Sequence, residues 1–550
     1  MQNILCKESC ISVIILVLLI VLNPLTYSFN KTAGGMLPDS PLYLVMGEQL
    51  LSDGRLSITG WGHIDSGIIL PPVYPMLIAV AKSIKGYVIY NSQVISTIAL
   101  LLTSIPLFFL VRHLSTVFAA TSTVFLVQIN YYYYYFGTAS LSEATFLLLL
   151  VVISSLTIRL CIIKNTGSIT ILCIGILGGL LFLTRHIGIF YIPAFIILLG
   201  IFRFRKPGKI SSNQAIESLI IFLVGYSLLL VPYTIFLNKQ TGMLPVDQHY
   251  RLNQYVVKTD DYYSYEPVFT DYKSLYKYRR DARMLLPDSR EMLAYVVNSQ
   301  RIEGFRDRIS LSKFGANIIS IAAQVCKIFG LLMSILFLVS MASACIAAFI
   351  SRQHKRSRII LPVIIFTYII TLSLVTGIVE RYIAILFPLI TALVVIETYY
   401  FIVPFLRKRI SMHALPDLII LVLLLSMVPE YFTSANISMR YGKKQSPVDH
   451  CRKFIRNHEP IFSLSTLEPY LLDGTYRVLP NDNLDKIARY GDLTGVRWLV
   501  MRKSSVNSSE MTYYHNADWL RSGVDLSAIN GRYKLQCESN GGDAQLYKII

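Results

Sequence analysis

The stretch 37-LPDSPLYLVMGEQLLSDGRLSITGWGHIDSGIILPPVYP-75 follows the first long apolar run of the chain and decides how the remainder is interpreted. Within it, Asp39 precedes apolar residues at helical spacing (Leu42, Val45, Met46), and the stretch ends in 71-PPVYP-75. This pattern predicts a helix lying along a membrane surface with Asp39 near its N-terminus. The prolines predict a stiff corner at which the chain re-enters the bilayer. Spacing alone favours a helix cap at Asp39, and a general base is the alternative.

The composition is that of a membrane protein. Of 550 residues, 54% are hydrophobic and 15% are charged, and the mean hydropathy is +0.53. Soluble globular domains carry about a quarter charged residues, so the apolar excess is expected to face lipid. The net charge of +18 resembles that of a nucleic-acid-binding protein. Much of it lies in short loops between apolar runs, however, which indicates membrane orientation rather than nucleic-acid binding.

Apolar runs of spanning length predict about eleven transmembrane helices. They lie near 11–29, 92–111, 115–132, 142–162, 168–184, 187–202, 215–237, 328–350, 359–377, 382–405 and 413–429. Basic segments such as 203-RFRKPGK-209 and 351-SRQHKRSR-358 then fall on one side, which the positive-inside rule identifies as cytoplasmic. The N-terminus is therefore expected in the cytoplasm, and the loops 30–91, 133–141 and 238–327 are expected outside. Residues 306–326 are expected to form an amphipathic surface helix.

The tail predicts a second domain. Short β-like runs alternate with polar helical stretches such as 484-LDKIARYG-491, which is typical of a small α/β domain. We expect a transmembrane domain over 1–429 and an extracytoplasmic α/β domain over 430–550. Cys451 and Cys537 could form a disulfide there if the compartment is oxidising.

Ionisable residues cluster at the predicted outer ends of the spans. Glu143 begins one span, Arg185-His186 interrupts a long apolar stretch, and Glu380-Arg381 begins another. Each has a plain structural explanation, either a carboxylate at a helix N-terminus or an Arg reaching the headgroups. The functional alternative is an acid/base or cation-binding pair of carboxylates with a phosphate clamp, to which Arg is suited. Asp65 alone is typical of a solvated loop, and the tyrosines 131–135 of an interfacial aromatic belt.

The order of these motifs resembles the GT-C membrane glycosyltransferases, which include protein O-mannosyltransferases and the lipid A aminoarabinose transferase. The resemblance rests on Asp39 after the first span, on 71-PPVYP-75, and on Gly137-Thr138 followed by Glu143. The segments 174-IGILGGLLFLTRHIGIFYIPA-194 and 380-ERYIAILFPLI-390 resemble later parts of that family. It covers about residues 11–405 in layout.

The resemblance implies an inverting transferase that moves a sugar from a polyprenyl-phosphate carrier to a protein, lipid or glycan acceptor at the outer membrane face. It implies Asp39 as catalytic base and Glu143 as a second acidic residue of the site. Arg185, His186 and Arg381 would bind the donor phosphate, with possible support from Asp65, Tyr74 and Glu380. The family often has an acidic pair in the first loop, but Ser40 follows Asp39 here, so we expect no metal and no other cofactor. A bacterial inner or archaeal plasma membrane is expected rather than the endoplasmic reticulum.

Three alternatives compete with this interpretation. A lipid-linked saccharide flippase needs polar residues deep in several spans, whereas the ionisable residues here cluster at the outer ends. A glycan ligase or polymerase would concentrate its catalytic residues in one large late loop, which could only be 238–327. A non-catalytic scaffold would leave the ordered set of Asp39, Glu143 and Arg185 without a role.

Overall fold

The structure is a computed structural model. It describes residues 40–54, 70–85, 88–162, 167–204, 212–241, 314–350, 356–374, 380–402, 449–456, 458–464, 467–479, 483–502, 525–539 and 544–550, with isolated positions at 17, 20, 56 and 519. These residues belong to two compact units. The first contains the described parts of Ile89–Tyr233 and Asp307–Arg440, and the second those of Met36–Val88, Thr234–Arg306 and Tyr441–Ile550.

The described elements are mostly helical until the C-terminal sheet. The helices, in chain order, are α1 (Ser40–Asp53), α2 (Val73–Lys85), α3 (Val88–Leu114), α4 (Val117–Gln128), α5 (Tyr131–Thr138), α6 (Glu143–Ile162), α7 (Ser168–Thr184), α8 (Ile192–Phe204), α9 (Ser212–Thr241), α10 (Phe314–Ile350), α11 (Ile360–Ser373), α12 (Glu380–Ala384), α13 (Phe387–Glu397), α14 (Leu467–Leu471), α15 (Leu484–Thr494) and α16 (Leu526–Ile529). The strands are β1 (Pro460–Ser463), β2 (Thr475–Val478), β3 (Trp498–Arg502), β4 (Tyr533–Glu538) and β5 (Ala544–Ile549). Short 3₁₀ segments lie at His186–Tyr191, Arg356–Ile359 and Asp449–Phe454, and a π-helical turn at Thr398–Ile402.

Four helices in the described part of the chain are long and apolar enough to cross a membrane. They are the segments Ser92–Leu114, Glu143–Ile162, Ile216–Lys239 and Phe314–Ile346. Shorter apolar helices occur at other predicted spans, including α4, α7, α11 and α13. The last predicted span, 413–429, and nearly all of the first, 11–29, lie outside the described residues, so the number eleven stays a prediction.

Two interruptions divide the long apolar stretches. Arg185 has an extended backbone, with φ of −153° and ψ of 132°, and this ends α7 before the 3₁₀ segment that leads into α8. In α10, Gly330 has φ of 73°, a conformation that glycine adopts without steric strain. This break lies just inside the predicted span 328–350, four residues after the end of the predicted surface helix 306–326, which is described from residue 314.

The first unit is organised around α13, in which every residue from Phe387 to Glu397 is buried. A helix that is apolar on all sides is stable only when other helices surround it. Helix α13 packs against α4, α10 and α11. Helices α7 and α9 approach closely through Gly175 and Gly225, because a Cβ at either position would collide with a backbone carbonyl of the other helix.

A buried ion pair lies at the C-terminal end of α13. Arg358 donates from Nε to Oε1 of Glu397 over 2.7 Å, and its Nη2 donates to Oε2 of the same carboxylate. Ser343 of α10 donates to Oε2 over 2.7 Å and accepts from Nη2 over 3.1 Å. The basic segment 351–358 was expected to form a cytoplasmic loop, but its last residue, Arg358, is a buried structural cation.

In the second unit, α1 and α2 pack against each other. Gly47 permits this contact, because a Cβ there would lie 3.0 Å from the carbonyl oxygen of Pro75. Helix α1 confirms the predicted helix after Asp39, although its position relative to a membrane stays a prediction. The expected proline corner is shorter than predicted, since Tyr74 and Pro75 already belong to the first turn of α2, where a missing backbone N–H is tolerated.

The C-terminal part of the second unit contains a five-stranded sheet in the order β2-β1-β3-β5-β4. Strand β1 is parallel to β2 and β3, and β5 is antiparallel to β3 and β4. The β-like runs of the sequence, at 461–465, 476–480, 497–502 and 546–550, correspond to β1, β2, β3 and β5, whereas β4 was not predicted. Cys451 and Cys537 form the disulfide considered from the sequence, with Cα atoms 5.7 Å apart, and Cys451 lies in the buried core beneath the sheet. The boundary at residue 429/430 is outside the described residues and stays a prediction.

The pair Arg358–Glu397 generates a stability prediction. Changing Arg358→Ala leaves a buried, uncompensated carboxylate, which we expect to lower the free energy of unfolding by about 3–5 kcal/mol. The double variant Arg358→Met with Glu397→Leu removes both charges and should recover most of the loss. Thermal unfolding of the purified protein in detergent measures both. A double variant no more stable than Arg358→Ala would contradict this account.

Candidate active site

The candidate site is built around Glu143, the first residue of α6. Its side chain is completely buried, with 0% of its surface exposed. A buried carboxylate needs compensation, because transferring its charge out of water is costly. The helix N-terminus provides part of it, since the first backbone N–H groups carry partial positive charge. Two arginines provide the rest.

Arg185 is the nearer cation, with Nη1 lying 2.6 Å from Oε1 of Glu143. The same Nη1 donates to Oγ of Ser142 over 3.2 Å. Only 10% of the Arg185 side chain is exposed, because the residue lies where α7 ends and the chain turns into the 3₁₀ segment. Its guanidinium also lies 5.9 Å from the centre of the Tyr382 ring, within the range of a cation–π interaction.

Arg381 approaches Glu143 less closely and is more accessible. Its Nη1 lies 3.8 Å from Oε1 of Glu143, and 34% of its side chain is exposed. Arg381 belongs to the short helix α12. That helix is held by Tyr368 of α11, whose hydroxyl donates to the backbone carbonyl of Tyr382 over 2.8 Å. The Tyr368 ring in turn stacks on the ring of Tyr191, with ring centres 4.3 Å apart.

The charge of this cluster suits an anion. Two guanidinium groups share one carboxylate, so with all three ionised the cluster of Glu143, Arg185 and Arg381 carries a net charge of +1. Within the described part of the chain, Oε2 of Glu143 accepts no hydrogen bond. The cluster offers a partly exposed guanidinium, that of Arg381, to a phosphate-like group.

The structure brings together three of the residues singled out from the sequence: Glu143, Arg185 and Arg381. His186 is adjacent and buried, and its ring packs 5.1 Å from the ring of Phe182. Tyr74 belongs to the second unit, where it is buried and packs edge-on against Tyr43, with ring centres 5.2 Å apart.

The remaining candidates cannot be placed. Asp39 and Asp65 lie outside the described residues, as does the side chain of Glu380, whose backbone begins α12. Their assigned roles stay predictions.

Ser142, Tyr368 and Tyr382 were not singled out from the sequence. Ser142 precedes Glu143 in 136-FGTASLSEATF-146 and could have been considered for that adjacency. Tyr382 directly follows Arg381. Tyr368 lies in an apolar run in which a single tyrosine carries no distinguishing signal. The tyrosine run forms α5, and Tyr133 is buried with its hydroxyl donating to the Leu100 carbonyl over 2.7 Å, while the expected aromatic belt stays a prediction.

The residues described here offer no suitable ligand set for a divalent cation. One group of His and Cys side chains, His450 with Cys451 and Cys537, has metal-like spacing, but the disulfide removes both thiolates as ligands. At Glu143, the positive charges of the two neighbouring guanidinium groups oppose binding of a metal cation.

The different distances of the two arginines predict different effects on stability. Arg185→Ala removes the buried partner of Glu143, and we expect it to lower the free energy of unfolding by about 3–5 kcal/mol. Arg381→Ala removes a longer, partly exposed contact, for which about 1 kcal/mol or less is expected. Thermal unfolding in detergent compares the two variants. Equal losses of stability would contradict the assignment of Arg185 as the main partner of Glu143.

Comparison with known proteins supports a specific fold. The sequence matches no protein-family model and no curated protein sequence. An oligosaccharyltransferase from Archaeoglobus fulgidus, solved in complex with Zn and sulfate, superposes with a TM-score of 0.57 at 13% identity, covering 97% of this chain and 72% of that one. The archaeal oligosaccharyltransferase AglB from the same organism, in complex with an inhibitory peptide and a dolichol-phosphate, gives a TM-score of 0.56 at 14% identity, covering 98% and 73%.

A third structure, ArnT from Cupriavidus metallidurans, covers 100% of this chain and 98% of its own at 10% identity, but its TM-score of 0.46 carries no argument. The likeness to the archaeal enzyme extends over nearly the whole chain. The chain therefore shares the fold of the archaeal oligosaccharyltransferase, in agreement with the resemblance to membrane glycosyltransferases that its sequence motifs gave.

Proposed function

We propose that the protein is an inverting glycosyltransferase. It transfers a sugar from a polyprenyl-phosphate-linked donor to a protein, lipid or glycan acceptor at the outer face of the membrane. The observation that carries the proposal is the buried Glu143 held by Arg185, with the partly exposed guanidinium of Arg381 beside it, in a chain with the fold of the archaeal oligosaccharyltransferase. The archaeal oligosaccharyltransferase of the same fold has been solved with a dolichol-phosphate, which supports a lipid phosphate as the ligand.

The cationic residues recognise the leaving group. When the bond between sugar C1 and the phosphate oxygen breaks, negative charge develops on the phosphate, and a positioned guanidinium stabilises that charge. Arg381 is the first contact, because it is the more exposed of the two arginines. Arg185, held by Glu143 and Ser142, keeps the second guanidinium in a fixed orientation. His186, adjacent to Arg185, is proposed to assist in binding the phosphate.

Asp39 is proposed as the catalytic base because of its place in the sequence. It removes the proton of the acceptor hydroxyl while the acceptor oxygen attacks C1 of the sugar from the face opposite the phosphate. The polyprenyl phosphate leaves with the electron pair of the broken bond, and the configuration at C1 inverts. Glu143 is the second acidic residue of the site. Asp65, Tyr74 and Glu380 are proposed as supporting residues.

A resident metal is not part of the proposal. The archaeal oligosaccharyltransferase was solved with Zn. In this chain, the carboxylate of Glu143 is instead contacted by the guanidinium groups of Arg185 and Arg381. That arrangement favours anion binding over cation binding. No step of the proposed reaction uses a metal ion.

The proposed orientation puts the N-terminus in the cytoplasm and the C-terminal domain outside. The distribution of Lys and Arg among the short loops supports this orientation. The disulfide between Cys451 and Cys537 supports it further, because disulfides persist in oxidising compartments and are rare in the cytosol. Eleven transmembrane helices and a boundary near residue 430 complete the proposed topology, in a bacterial inner or archaeal plasma membrane.

The proposal is tested by two variants with separate readouts. Asp39→Asn should reduce sugar transfer by about 10³-fold or more, since a base that cannot accept a proton no longer assists the attack. It should leave carrier binding intact.

Arg381→Ala should weaken binding of undecaprenyl phosphate by about tenfold, because one charge-assisted contact is lost. Transfer is measured with a panel of radiolabelled polyprenyl-phosphate sugars and membranes from a strain lacking the protein, and binding by native mass spectrometry.

Matched controls accompany each change. Glu217→Gln alters an exposed carboxylate of α9, and Arg159→Ala removes an exposed guanidinium near the opposite end of α6 from Glu143. Both should behave like the wild-type protein. Near wild-type transfer by Asp39→Asn would remove Asp39 as the base, and a variant that moves the carrier lipid across vesicles without any transfer would favour a flippase. Unchanged carrier binding by Arg381→Ala would remove the phosphate contact.

A further inference from the structure

The segment between α5 and α6 is bonded to one face of α3. The segment comprises Gly137 and Thr138 at the end of α5 and the connection 139–142, which ends immediately before Glu143. Thr97 donates to the carbonyl of Gly137 over 2.8 Å, and Ser96 donates to the carbonyl of Leu141 over 3.2 Å.

A third hydroxyl completes the row. Ser92 donates to Oγ of Ser140 over 2.8 Å. We name Ser92, Ser96 and Thr97 the α3 hydroxyl row. All three side chains are buried.

The spacing of the row explains why it acts on one segment. Ser92 and Ser96 are four residues apart, so they lie on the same face of α3 one turn apart, with Thr97 next to Ser96. Other hydroxyls of α3 do not share this arrangement. Thr103 is equally buried, but its hydroxyl donates to the Ala99 carbonyl of its own helix over 2.7 Å. The row therefore satisfies backbone carbonyls of an irregular segment that would otherwise be buried without donors.

We infer that the α3 hydroxyl row consists of positioning residues for Glu143 and Ser142, and thereby for the guanidinium of Arg185. The inference rests on the proposed function and assigns residues to it that the family resemblance did not. The row holds the segment at Gly137, Ser140 and Leu141, and the next two residues are those that contact Arg185. The row acts through the segment, because its hydrogen bonds are made to the segment that leads into Ser142 and Glu143.

The consequence is a specific dependence of rate on hydroxyl groups remote from the reaction. Removing the donors leaves the Gly137 and Leu141 carbonyls buried and unsatisfied, so the segment shifts to find other partners. A shift of about 1 Å in a catalytic group can lower a rate by about 100-fold. Because the backbone hydrogen bonds within α3 and within α6 are unchanged, the effect on folding should be much smaller than the effect on transfer.

The test is the double variant Ser96→Ala with Thr97→Val, which deletes two hydroxyls and preserves apolar volume. We expect sugar transfer to fall by about 10- to 100-fold in the radiolabelled assay described above. Thr103→Val is the matched control, since it deletes a buried hydroxyl of the same helix that bonds only its own backbone. Its transfer rate should remain within about twofold of wild type, with a similar unfolding midpoint.

A conservative substitution distinguishes the effect of losing the Thr97 hydroxyl from the effect of altered packing. The variant Ser96→Ala with Thr97→Ser restores one donor to the Gly137 carbonyl and should recover most of the lost rate. If the double variant is poorly folded, Ser96→Ala alone provides the comparison, with a smaller decrease expected than for the pair.

The outcomes distinguish this inference from the function on which it rests. Active wild-type protein with unaffected row variants, or with no recovery in the Thr97→Ser variant, overturns the inference alone. A loss of transfer that merely parallels a lower unfolding midpoint also overturns it. Wild-type protein that transfers no sugar overturns the proposed function and the inference together.

Discussion

The interaction on which the candidate site depends is the contact between one buried carboxylate and two guanidinium groups. Glu143 is completely buried, and a charge in that position is stable only if cations lie close to it. Arg185 meets this need from the break between α7 and the following 3₁₀ segment, and Arg381 meets it from the short helix α12. The extended backbone at Arg185 therefore occurs where a charged side chain must reach the carboxylate.

The two buried ion pairs of the first unit differ in a way that suggests different purposes. Arg358 and Glu397 saturate each other through a bidentate contact, and Ser343 completes the remaining hydrogen bonds. That pair has little capacity left for a ligand and is best understood as structural. At Glu143, by contrast, one oxygen accepts no hydrogen bond from the described residues, and two cations share one anion. The Arg381 guanidinium beside this contact is 34% exposed, so it is within reach of a phosphate-like group.

Much of the fold could be predicted from the sequence, because apolar run length and loop charge are local properties. The span 168–184 coincides with α7, and four of the five described strands were expected. The pairing of Arg358 with Glu397 could not be predicted, since a basic loop and a distant glutamate give no sign of their contact. Within the site, Glu143, Arg185 and Arg381 were recognised by type and order. Ser142, Tyr368 and the α3 hydroxyl row were not, because ordinary hydroxyls acquire a role only through tertiary contacts.

The most direct test of the central claim is an experimental structure of the full chain with undecaprenyl phosphate. The account predicts that the phosphate lies within about 3 Å of a guanidinium nitrogen of Arg381, as in charge-assisted hydrogen bonds, with Arg185 still held by Glu143 and Ser142. A phosphate bound away from Arg381, with the cluster of Glu143, Arg185 and Arg381 unchanged from the unliganded protein, would contradict the account and leave that cluster a structural ion pair.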